Sequence, residues 1–72
     1  MGLKIDYDRE EDGRWIAEAP ELPGVMVYGA TQHEAHEAVL ALALRVLADQ
    51  LEHHEITVEQ LQHWIGVERL SA

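Results

Sequence analysis

Residues 20–35, PELPGVMVYGATQHEA, divide this chain into two halves of different kind. Pro20 has no N–H to give a strand ladder, so a strand arriving from the N-terminal side stops there. Pro23-Gly24 fits the central pair of a type II turn, proline fixing φ and glycine accepting a positive φ. GVMVYG is then a short β-prone run between Gly24 and Gly29. Thr31 and Glu34 follow as T-x-x-E, the capping box that opens a helix. The segment dictates a strand end, a tight turn, a short strand and a helix start, in that order.

The residues on either side agree with that partition. Residues 3–8 alternate, with Leu3, Ile5 and Tyr7 on one face and Lys4, Asp6 and Asp8 on the other, as in a half-buried strand. Asp12-Gly13 in EEDGR supplies the positive-φ positions of a hairpin turn. RWIAEA, 14–19, is the return strand, with Ile16 on its otherwise polar side. Residues 1–29 therefore read as a three-stranded antiparallel meander. After Thr31, a helix is predicted from Gln32 to about Leu51, placing the main helix within 31–52. Ala35, Val39, Leu42 and Val46 form one apolar stripe, expected to pack on the sheet. Leu40, Leu44, Leu47 and Leu51 form a second, about a third of a turn away, which needs another cover. The two together are wider than the ~100° stripe of a helix facing one core. The tail, 55–72, allows two readings: a fourth strand over 55–58, or a helix opened by Thr57 and Gln60 with Val58, Leu61, Trp64 and Ile65 on one side, ended by Gly66.

At 72 residues this is one domain, and without cysteine it has no disulfide or zinc-thiolate staple. Small domains of this kind often rely on oligomerisation, and Leu40, Leu44, Leu47 and Leu51 are the expected oligomer interface, for a dimer or tetramer. The longest apolar run, AVLALALRVLA, is broken by Arg45 and falls short of the ~20 residues that span a bilayer. The expectation is a cytoplasmic protein with no membrane association. Fourteen acidic residues against five Lys plus Arg give a net charge of −9. Such a chain repels phosphate backbones, so direct nucleic-acid binding is not expected, whereas a basic protein partner is well matched.

Little in the sequence carries catalysis. His33 and His36 are three apart on the helix, and His53-His54 lie at its end, but no third ligand or H-E-x-x-H pattern completes a metal site. They read as solvated helix histidines. Asp6, Asp8, Glu10, Glu11 and Asp12 cluster near the hairpin, where a magnesium-dependent nuclease reading competes with that of a solvated charge cluster, and the latter is preferred. No serine motif, phosphate loop or cysteine nucleophile is present. TVEQLQHWIGVERLSA resembles the first helix and turn of a helix-turn-helix, yet no recognition helix follows. No catalytic residue, metal ligand or cofactor is assigned.

The ordered set D-G-R-W-I-A at 12–17, P-E-L-P-G-V at 20–25 and G-A-T-x-x-E-A at 29–35, followed by an alanine- and leucine-rich helix, resembles the HicB-like antitoxins over residues 3–51. The motif positions are Asp12, Gly13, Trp15, Pro20, Leu22, Pro23, Gly24, Gly29, Thr31, Glu34 and Ala35, all of them structural. The resemblance implies an α+β, partial ribonuclease-H-like fold, β-β-β-α with a further strand or short helix. It implies a prokaryotic antitoxin of a type II toxin–antitoxin system that silences a small basic HicA-type mRNA-cleaving toxin by occlusion. Longer members append a DNA-binding domain, and this chain lacks a complete one. From charge and hairpin exposure, Glu10, Glu11, Asp12, Glu18 and Glu21 are the expected toxin-binding patch. The rival reading is a stand-alone oligomeric transcriptional regulator, or a HicB-fold protein without a toxin.

Overall fold

The computed structural model describes residues 2–68 and 70. Three strands, β1 (Asp6–Arg9), β2 (Trp15–Glu18) and β3 (Met26–Gly29), are followed by a long helix, α1 (Gln32–Glu52), and a single-turn helix, α2 (Val58–Leu61). The sheet is an antiparallel meander in the order β1-β2-β3, so the chain is α+β with the predicted β-β-β-α order. Tyr7 pairs with Ala17 and Ala17 with Val27. Cross-strand partners share a face, so this row, with Arg9–Trp15–Gly29, looks toward α1. Among the described residues, no helix is long and apolar enough to cross a membrane.

The β1–β2 turn differs in detail from the expectation. The Gly13 N–H donates to the Glu10 carbonyl and the Glu10 N–H to the Arg14 carbonyl. Gly13 alone takes a positive φ, +94°, while Asp12 keeps an ordinary backbone and uses its carboxylate instead. The PELPG loop is two β-turns in series. Leu22 N–H donates to Ala19 C=O, and Val25 N–H to Leu22 C=O, with a proline second in each turn. Gly24 has φ +82°, as the type II geometry requires. Ala19, Leu22 and Val25 are buried beneath it, so this loop is a lid on the core.

The core is thin. Ala17, Ala19, Leu22, Val25, Ala35, Val39, Ala43, Leu47 and Leu61 are buried, four of them alanine, in a molecule measuring 52 × 22 × 16 Å. Small side chains are needed because helix and sheet approach closely. A Cβ on Gly29 would lie 2.5 Å from the Ala35 backbone nitrogen, nearer than any side chain tolerates. Gly29 is thus required by the seat of the helix on β3, not by the strand exit alone.

Thr31 caps α1 through Oγ1, which accepts from the Glu34 N–H at 3.1 Å, while Glu34 reaches back to the Ala30 N–H rather than to Thr31. The buried stripe is Ala35, Val39, Ala43 and Leu47: Ala35 and Val39 come from the stripe expected on the sheet, Leu47 from the second stripe, and Ala43 from neither. Leu42 and Val46 fall on one flank of it, half-buried, and Leu40 and Leu51 on the other. The helix ends in a Schellman motif. His54 donates to Leu51 C=O, Glu55 donates to Gln50 C=O, and His54 occupies the left-handed region at φ +59°.

The tail adopts the helical alternative. Thr57 and Gln60 form a reciprocal capping box, but α2 stops at Leu61, well before Gly66. Leu61 is buried, and Trp64 and Ile65 pack partly against the core. No strand forms at 55–58.

Candidate protein-interaction surface

One face of the sheet is covered by α1 and the other is open. The open face is fixed by register: Asp6, Glu18 and Met26 form one row, and Asp8, Ile16 and Tyr28 the next. Met26 and Tyr28 are each 47% exposed, and Ile16 is half-buried between strands. The outcome is an apolar centre, Ile16–Met26–Tyr28, bordered by the carboxylates of Asp6, Asp8 and Glu18. The guanidinium of Arg14 lies 4.6 Å from the centre of the Tyr28 ring and closes one end.

The five acids expected to form a single patch are dispersed over this architecture. Glu10, Glu11 and Asp12 lie in the β1–β2 turn, Glu18 on the open face, and Glu21 in the loop at the far end of β2. A strand of four residues, roughly 13 Å, separates the two ends. Asp12 is already engaged by Arg14, at 2.8 Å to Nε. The Arg14 backbone N–H holds the Asp12 carboxyl below its usual range, with the guanidinium adding to the effect. Glu21 meets His63 Nε2 at 3.1 Å, tying the PELPG loop to the tail, while the Gly2 N–H donates to the His63 carbonyl. Of the five, Glu18 shares a face with the apolar centre.

The motif residues take structural positions throughout. Asp12 and Gly13 shape the hairpin, Trp15 packs toward α1 with Arg9 5.7 Å from its ring centre, and Pro20, Leu22, Pro23 and Gly24 build the double turn. Gly29, Thr31, Glu34 and Ala35 seat the helix. In the expected oligomer stripe, Leu47 is 2% exposed and belongs to the core, whereas Leu44 is 51% exposed. A second chain docking there would meet Leu44 flanked by Leu40 and Leu51.

The histidines are engaged locally. The Tyr7 hydroxyl and His36 Nδ1 are hydrogen-bonded across the sheet–helix seam, beside a shallow hollow of about 280 Å³ lined by Tyr7, Gln32, His33 and His36. His33 lies 3.4 Å from Glu37. At the other end of α1, Asp49, His53 and Glu55 offer ligand-type atoms within 4.8 Å of one another. His53 Nδ1, however, is 2.7 Å from the Asp49 carbonyl, which accounts for the grouping without an ion. That bond, with the Asp49 charge, raises the His53 pKa above its ordinary value of 6.5. Its contribution to the helix end is therefore full below pH 6.5 and fades as pH rises through the raised value.

The sequence reading missed Asp6, Asp8, Ile16, Met26 and Tyr28 as one surface. The signal was present: Ile16 on the polar side of its strand, and Met26 and Tyr28 alternating with Val25 and Val27. No family model, no curated protein and no solved structure matches this chain.

Proposed function

We propose that the chain is a HicB-like antitoxin that binds and occludes a small basic HicA-type mRNA-cleaving toxin, without chemistry of its own. The observation that carries this reading is the open sheet face, with Ile16, Met26 and Tyr28 at its centre and Asp6, Asp8 and Glu18 around them. An apolar centre with a charged rim has the anatomy of a protein interface, and an acidic rim selects a basic partner. A basic ribonuclease holds RNA phosphates with its cations, so an acidic face laid over those cations competes with RNA for the same charges. The β-β-β-α order, the PELPG double turn and the Thr31-capped helix support a partial ribonuclease-H-like fold. The binding patch is centred on Asp6, Asp8 and Glu18, with Glu10 and Glu11 extending it along the hairpin.

The test is titration of the protein into an RNA-cleavage assay of a HicA-type toxin encoded beside it. Stoichiometric loss of cleavage is expected. Asp6→Lys with Asp8→Lys should raise the concentration for half-inhibition by about tenfold or more, the ~1–3 kcal/mol that reversed charges at an interface are worth. Unchanged inhibition by the folded double variant refutes the acidic face. Absence of any inhibition favours a stand-alone oligomeric regulator instead.

A further inference from the structure

The two edges of the sheet are chemically unlike. β1 carries Asp6, Asp8 and Arg9 among its four residues, charges of the kind that keep an edge from pairing. β3 is Met-Val-Tyr-Gly, uncharged and, glycine apart, β-prone. Residues 22–33 include no acid and no Lys or Arg, in a chain whose net charge is −9.

The phase of the ladder shows which backbone groups are open. The Ala19 N–H donates to Val25 C=O, so Ala19–Val25 is a hydrogen-bonded pair. Alternation then makes Ala17–Val27 and Trp15–Gly29 bonded pairs, and Ile16–Tyr28 and Glu18–Met26 non-bonded ones. Met26 and Tyr28 consequently direct their N–H and C=O away from β2, and no backbone bond from elsewhere in the described chain meets them.

We infer that β3 is a self-pairing edge: it joins β3 of a second copy antiparallel, with Val27 on the two-fold axis. This register sets Met26 opposite Tyr28 of the copy at both ends, and each pair exchanges both of its N–H···O bonds. It is the symmetric register that uses every open group. Two sheets of three strands become one of six. The faces match, so the Ile16–Met26–Tyr28 surface of one chain continues into that of the other, with the Met26 thioether against the Tyr28 ring of the copy.

Charge and packing select a second copy as the occupant. Two chains of charge −9 repel one another over most of their surface, and least at this uncharged edge, where a basic partner would gain nothing. The two-fold also sets Glu18 of the copy on the Tyr28 row, one strand beyond its Met26. Arg14, stacked on Tyr28, then faces an opposite charge. On the other face, α1 lies over β2 and β3. With strands about 4.8 Å apart, the two α1 helices come to lie about 10 Å apart, a helix-packing distance. The flank of α1 nearest β3 is marked by Ala35 against Gly29, whereas His36 reaches Tyr7 of β1. Helical spacing puts the half-buried Leu42 and Val46 on the Ala35 side, so they meet their counterparts in the copy. Leu40, Leu44 and Leu51 lie on the opposite flank.

The experiment is sedimentation equilibrium of the full chain and three variants across the micromolar range, with circular dichroism to check folding. Wild type should have twice the 8.2 kDa chain mass. Met26→Pro removes an outward N–H without touching the β2 ladder, and Met26→Glu places a carboxylate beside Glu18 on the edge that meets a second acidic chain; both should be folded monomers. Leu44→Glu should remain a dimer. A monomeric wild type, or folded Met26 variants that still dimerise, overturns the proposal. Amide exchange of the wild type gives a readout independent of any variant. The Met26 and Tyr28 amides should exchange as slowly as that of Val27, and fast exchange of these two overturns the pairing. No toxin enters either measurement, so failure here leaves the inhibition assay unaffected.

Discussion

His54 closes the long helix in a conformation that costs a side chain and is free to glycine. Its φ of +59° lets the Schellman bonds to Leu51 and Gln50 form. For an L-residue the left-handed region costs ~1–2 kcal/mol. His54→Gly relieves most of that and gives back part in unfolded-chain entropy, so a net gain of about 0.5–1 kcal/mol is expected from urea denaturation. A loss of stability would mean that the His54 side chain contributes more than its backbone costs. Gly29 is the converse case, held as glycine by the Ala35 backbone.

At the scale of the element, α1 shows what a wheel of leucines and valines conceals. The buried line cuts across both predicted stripes, taking Ala35 and Val39 from one and Leu47 from the other, and it is half alanine because Ala43, in neither stripe, completes it. Alanine scarcely registers as a core residue in a hydrophobic pattern, yet it is what a helix presents where a sheet comes close. Two of the four leucines of the second stripe, Leu47 and Leu44, therefore part company. Leu47→Ala should cost about 2–5 kcal/mol, as deletion of a buried leucine does. Leu44→Ala should cost within about 0.5 kcal/mol, as at an exposed position. Equal losses in urea denaturation would mean that Leu44 is covered in solution and would reinstate that flank as an interface. The tail is a second case: Thr57 and Gln60 form the capping box as read, but Leu61 and the turns after it, not Gly66, set the end of α2.

Over the whole molecule, a charge of −9 sits on a thin body with a small core. Among the described residues, one carboxylate–guanidinium pair, Asp12–Arg14, lies within bridging distance, and the histidine pairs add to it only when protonated. Repulsion among the acids is thus largely uncompensated. Raising sodium chloride from about 20 mM to about 0.5 M shortens the screening length to a few ångströms and should raise the thermal midpoint. A flat or falling response would show that the acids are balanced locally. The sequence by itself determined the order of elements, the PELPG turns, both helix starts and the acidic character of the surface. Those depend on groups a few residues apart: a proline ring, a glycine φ, a threonine hydroxyl over the next turn. Only the tertiary structure decided which helix line is buried, that the five expected acids are split between the two ends of β2, and that Ile16, Met26 and Tyr28 share one open face. Those depend on strand register and on the closeness of Gly29 to Ala35, distances set between segments far apart in the chain.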